Sequence, residues 1–147
     1  MLGEIASLAV GLDISKGAVS AAKRDFSKSN LEFIVGDANR LPFRSEYFDA
    51  IVLFETVEHV IDPVKVVEDC GRVMHERSVF ICSTPNKSLS SPLTIDTPGN
   101  PSHLHEFCPR EFEILMRHVC RKVILYGQPP LISEEHLRLE DFPPQER

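Results

Sequence analysis

The chain has 147 residues, 42% hydrophobic and 26% charged, with a net charge of −6. That is the length and balance of one globular domain, and it excludes collagen-like, disordered and two-domain readings. The acidic balance also works against tight binding to a phosphate backbone, so a nucleic-acid partner is not expected.

The longest apolar stretch, Ala50-Ile51-Val52-Leu53-Phe54, falls far short of the roughly 20 residues a membrane helix needs. Glu4 and Asp13 break the pattern of a secretion signal. The expectation is a cytoplasmic protein without membrane insertion. Cys70, Cys82, Cys108 and Cys120 lie far apart with no C-x-x-C among them. Inert thiols are expected, not a zinc knuckle or a disulfide framework.

In chain order, a weak apolar run at 8–12 predicts a first strand, and Ser15 caps a helix whose apolar side carries Val19, Ala22 and Phe26. Residues 31–35 form a second strand. Residues 37–48 carry no periodic pattern and read as a long loop. A third strand at 50–54 leads to Asp62-Pro63, which opens a helix with Val66, Val67, Cys70, Val73 and Met74 along one side. A fourth strand follows at 78–82, then a proline-rich loop over 84–108. A helix from Pro109 exposes Phe112, Leu115, Met116 and Val119 on one face, and a last strand is predicted at 122–126. Strand runs that are continuously apolar belong to a sheet covered on both faces. The predicted fold is therefore α/β, with a mostly parallel sheet and helices on both sides. Residues 1–128 form the domain, and 129–147, rich in proline and charge, are expected to be a poorly ordered tail.

Ligands of open α/β sheets bind beyond the carboxyl ends of the strands. Asp13 ends the first strand, Asp37 the second, Glu55 the third, and Ser83-Thr84-Pro85-Asn86 the fourth. Carboxylates accept hydrogen bonds from hydroxyl and amino groups, so a row of this kind suits a nucleoside.

These segments resemble a known family. Val10-Gly11-Leu12-Asp13-Ile14-Ser15, Phe33-Ile34-Val35-Gly36-Asp37-Ala38, Leu41-Pro42-Phe43 and Tyr47-Phe48-Asp49-Ala50-Ile51-Val52 look like the class I S-adenosylmethionine-dependent methyltransferases. The closest look is to those similar to the ubiquinone/menaquinone C-methyltransferases. The runs from Glu55 to Pro63 and from His103 to Phe112 match the same pattern. The resemblance implies a Rossmann-like fold, S-adenosyl-L-methionine as cofactor and a small-molecule or lipid-linked acceptor. It assigns Asp13 to the ribose hydroxyls, Ile14 to the adenine face, and Asp37 with Ala38 to the adenine edge. Phe54 and Glu55 would flank the sulfonium. Asp49 would be structural. His59, His103 or Glu55 would take a proton from a hydroxyl acceptor, with His103 and His105 lining a lid. His75, His118 and His136 are expected at the surface.

The sequence departs from this family at one place. The family's glycine-rich turn, which follows a first strand one strand–helix unit before the acid equivalent to Asp13, has no counterpart: Met1 lies twelve residues before Asp13, and no G-x-G occurs. The chain is thus expected to be truncated at its N-terminus and, by itself, weakly active or inactive. The missing strand would lie between the strands ending at Asp13 and Glu55. Glu55-x-x-Glu58-His59 with His103 also resembles the metal-ligand set of small-RNA 2′-O-methyltransferases, with both carboxylates on one face of a turn. The same run is widespread in methyltransferases that bind no metal there, so no metal is expected. The alternatives are a non-catalytic methyltransferase-like binding module and a nicotinamide-dependent oxidoreductase, which would lack its own G-x-G-x-x-G. Oligomeric state and acceptor stay open.

Overall fold

The computed structural model describes residues 2–90, 100–127 and 137–138. Its elements are α1 (Leu2–Ile5), β1 (Ala9–Asp13), α2 (Lys16–Asp25), β2 (Leu31–Val35), β3 (Phe48–Phe54), α3 (Pro63–Val73), β4 (Met74–Ser83), α4 (Lys87–Ser90), α5 (Pro109–Met116), β5 (Tyr126–Gly127) and β6 (Leu137–Arg138). Local chemistry sets the helix starts. The Ser15 hydroxyl accepts from the Ala18 amide at 3.2 Å to open α2, and the Asp62 carboxylate accepts from Lys65 at 3.0 Å to open α3, with Pro63 at the first helical position.

Each strand–helix–strand unit closes on itself. β1 pairs parallel with β2 from Ala9↔Leu31 to Asp13↔Val35, and β3 pairs parallel with β4 from Ala50↔Val79 to Phe54↔Ser83. Parallel neighbours need a crossover of this length, and α2 and α3 supply it. The architecture is α/β, as the alternation predicts, and Rossmann-like, as the resemblance implies.

Two features differ from the expected sheet. First, the strands form separate two-stranded pairs, and no ladder joins β1 to β3 among the described residues. The break falls between the strands that end at Asp13 and Glu55. Second, the run at 122–126 does not form a strand over its length. Only Tyr126 of it does, in an antiparallel pair with Arg138. Val123 turns into the core while Ile124 and Tyr126 stay exposed, so apolar residues are present but no strand among the described residues offers 122–125 a ladder. Apart from Leu137–Arg138, the tail expected over 129–147 lies outside the described residues.

The core lies in the second unit. Val57, Val67, Leu115 and Met116 are buried together, flanked by Leu53, Phe80, Cys82, Phe107 and Phe112. Gly71 on α3 lets residue 119 come close, since a Cβ there would meet Val119 Cγ1 at 2.5 Å. In the first unit Val19 alone among the described hydrophobics is buried, while Phe26 closes α2 half-exposed. The 37–48 loop is tied down. Leu41 N–H donates to Asp69 at 2.6 Å, and Arg72 donates to the Leu41 and Phe43 carbonyls at 3.0 and 2.8 Å. No helix among the described residues is long and apolar enough to cross a membrane.

Candidate functional site

The carboxyl ends of β1 and β2 bring Asp13 and Asp37 to the same edge. Asp13 is the last residue of β1, opposite Val35, and Asp37 follows two positions later. Each carboxylate is oriented by its own turn: Asp13 Oδ1 accepts from the Ser15 amide at 2.7 Å, and Asp37 Oδ1 accepts from the Asn39 amide and its side-chain nitrogen, both at 2.8 Å. The bond from the Asn39 backbone, then that from its side chain, holds the Asp37 carboxyl below the usual carboxylate range. It is an ionised acceptor that faces solvent. Ile14, which follows Asp13, is 74% exposed, an apolar face with nothing packed over most of it. Ala38, between Asp37 and Asn39, is partly buried.

At the end of the second pair, Phe54 is exposed and Glu55 adopts φ 46°. That left-handed conformation is uncommon for a side-chain-bearing residue. Ser83 at the end of β4 stabilises it: the Glu55 amide donates to the Ser83 carbonyl at 3.1 Å, and the Ser83 hydroxyl donates to Glu55 Oε1 at 2.7 Å. The turn therefore aims Glu55 at Ser83. Glu55 is not among the residues that cluster with Glu58, so the four-residue metal-ligand pattern is not assembled in full.

Those residues are His59 and His103, whose ligand atoms lie with that of Glu58 within 4.8 Å of one another. Glu58 is 1% exposed and its Oε2 accepts from the Thr84 hydroxyl at 3.2 Å. The Leu104 and His105 amides both donate to the Glu58 carbonyl, at 2.8 and 3.1 Å, and fasten the segment from Asn100 over the end of β3. His59 Nδ1 donates to the Ser102 carbonyl at 2.9 Å, and His105 Nε2 to that of Ile61 at 3.3 Å. Thr84, Asn100 and Ser102 are the participants that sequence reasoning missed. Thr84 was legible only as a polar residue ending a strand, and the other two carried no signal.

The remaining polar residues fall elsewhere. Asp49 accepts from His75 Nε2 at 2.9 Å near the start of β3, away from these ends, and His118 stands 3.8 Å from Glu68 on the surface. His136 lies outside the described residues. All four cysteines are free, and burial pushes the Cys70 and Cys82 thiols up to about 12, which keeps them protonated and unreactive. The concavity lined by Phe26, Lys28, Leu31 and Phe33 runs along β2 and α2 and includes neither Asp13 nor Asp37.

Paired parallel strands with crossover helices define an α/β domain of the kind whose ligands bind beyond the strands' carboxyl ends, where these acids lie. The methyltransferase domain family matches residues 1–82, more than half of the chain, and the chain belongs to that family. A Mycolicibacterium smegmatis protein named as a probable S-adenosylmethionine-dependent methyltransferase is 30% identical over 79% of this chain and 44% of its own length. The ubiquinone biosynthesis O-methyltransferase of Dinoroseobacter shibae is 29% identical over 61% of this chain and 37% of its own length. The chain spans less than half the length of these curated relatives. A solved S-adenosylmethionine-dependent methyltransferase from Mesorhizobium loti, 14% identical, shares the fold with a TM-score of 0.64 over 84% of this chain and 66% of that one.

Proposed function

We propose that this domain holds S-adenosylmethionine by its adenosyl end and serves methyl transfer to a small-molecule or lipid-linked acceptor. The observation that carries the reading is the placement of Asp13 and Asp37 at one edge of a parallel pair, each oriented by its own turn. Asp13 keeps acceptor capacity beyond its bond to Ser15 for two ribose hydroxyls. Asp37, ionised, suits the exocyclic amine of adenine, and exposed Ile14 suits the ring face. Ala38 would meet the same base edge, with Phe54 and Glu55 toward the sulfonium. The names of relatives in ubiquinone and menaquinone biosynthesis favour a lipid-linked acceptor.

Methyl transfer from a sulfonium depends mainly on in-line placement and desolvation, because the leaving group is already charged. No fixed base is required. The reading therefore does not rest on Glu55, His59 or His103, whose present partners are Ser83, Ser102 and the Glu58 cluster.

Calorimetric titration with S-adenosylhomocysteine and 5′-methylthioadenosine tests it. With no G-x-G turn in the chain to take the amino-acid end, the two ligands should bind with similar affinity, weaker than micromolar. Asp13→Asn keeps the turn but not the charge, and should weaken both about 10-fold or more, the loss expected for charge-assisted hydrogen bonds. Affinities unchanged in Asp13→Asn and Asp37→Asn would remove the reading, and saturable NAD binding in their place would favour an oxidoreductase.

A further inference from the structure

We propose that Glu58, His59 and His103 form a binding site for a divalent transition-metal ion. The inference is independent of the adenosyl site. It rests on geometry at the other strand pair, which the local sequence pattern argued against.

Two polar atoms in this cluster are sealed from solvent without a hydrogen-bond partner, Glu58 Oε1 and His103 Nδ1. A buried polar group without a partner costs about 1–3 kcal/mol, so a carboxylate oxygen and an imidazole nitrogen left this way within one cluster call for an occupant. The third member is prepared as a ligand. A carbonyl can only accept, so the Ser102 contact fixes the proton of His59 on Nδ1 and leaves the lone pair of Nε2 available. Metal-bound histidines are commonly oriented by this kind of bond to a backbone carbonyl. Thr84 orients the carboxylate in the same way, holding Oε2 and leaving Oε1 to the cluster.

Glu106, with its side chain 5% exposed, has Oε1 3.9 Å from His103 Nδ1, so a second carboxylate borders the cluster. His59 is exposed and gives the ion access from solvent. Two imidazoles and one carboxylate suit Zn²⁺, Co²⁺ or Fe²⁺ better than Mg²⁺ or Ca²⁺, which prefer all-oxygen shells, and three ligands leave a position open. One adjustment follows. The Asn100 amide nitrogen now meets His103 Nε2 at 3.1 Å. A cation on Nδ1 moves the ring proton to Nε2, and the Asn100 side chain, whose oxygen is held by the Ser102 amide and hydroxyl at 3.0 and 2.8 Å, must then swing its nitrogen away from the ring.

Co²⁺ titration of the full chain, followed by calorimetry and visible absorption, tests the site. The expected result is saturable one-to-one uptake with ligand-field bands and no thiolate charge-transfer band, which excludes the cysteines. Zn²⁺ should displace Co²⁺ and Mg²⁺ should not. Glu58→Gln and His103→Gln should each weaken binding at least about 100-fold, more than loss of an outer-shell partner, while His118→Gln leaves it unchanged. If the buried variants fail to fold, exposed His59→Gln gives the same readout. Absence of saturation, equal affinity in the variants, or a thiolate band would overturn the site and leave a Glu58–His103 pair bridged by water.

Discussion

The two strand–helix–strand units share a topology and differ in what holds them. The β3–α3–β4 unit, with α5 against it, buries Val57, Val66, Val67, Val73, Leu115 and Met116. The β1–α2–β2 unit carries the two acids of the proposed adenosyl site and buries Val19 alone. Apolar area removed from water is the main source of stability. The first unit therefore relies on its ladder, its cap and the 37–48 connection, and belongs to the low-stability end of the molecule, where ligand sites are commonly found. The Glu58 cluster sits on the well-packed unit, and the proposed adenosyl site on the sparse one.

The most forceful way to break this comparison is to cut into each unit. Leu115→Ala should cost about 2–5 kcal/mol, as a buried leucine truncated in a packed cluster does, and should speed amide exchange throughout β3 and β4. Val19→Ala should accelerate exchange in β1 and β2 and leave β3 and β4 protected. Equal loss of protection in both units after either substitution would show a single cooperative core and end the distinction.

A smaller effect tests how the units are joined. The connection from β2 to β3 is clasped by Asp69, which accepts from the Leu41 amide and from Arg72 Nε at 2.7 Å. The bond from Arg72 holds the Asp69 carboxyl below its ordinary range. A carboxyl lowered in the folded state adds stability above its unfolded value, near 4, and that contribution disappears as pH falls through the lowered folded value. Asp69→Asn should cost about 1 kcal/mol at neutral pH, the pair being partly solvated. It should also flatten the acid limb of a urea-midpoint profile below about pH 4. A variant with the parent's acid limb would place the titration elsewhere.

The same contrast explains what could be read from the chain beforehand. β1, β2 and α3 were legible because a continuous apolar run or a capped apolar face decides them locally. Asp13, Asp37 and Glu55 were legible because position at a strand end follows from the strand. The grouping of Glu58, His59 and His103 was legible only through a resemblance to a metal-ligand pattern, and the bonds that build it were not: they come from a proline-rich segment with no periodicity, and His59 finds Ser102 43 positions away. Spacing in sequence does not reveal the left-handed φ of Glu55, which turns its carboxylate to Ser83. The run at 122–126 had a strand's composition, but a strand also needs a neighbour to bond with.

The finest test concerns the cap that begins α2. The Ser15 hydroxyl takes the Ala18 amide, and the Ser15 backbone amide orients Asp13. Ser15→Ala removes the first bond and keeps the second. Loss of such a cap costs about 1 kcal/mol. In a unit with one buried valine that cost should appear as local fraying, with faster exchange at the start of α2 and unchanged exchange in β3 and β4. Because the Asp13 carboxylate keeps its backbone donor, affinity for 5′-methylthioadenosine should stay within about 2-fold of the parent, well under the tenfold that 1.4 kcal/mol would produce. A larger drop would mean that the helix start, not the acid it follows, positions the ligand.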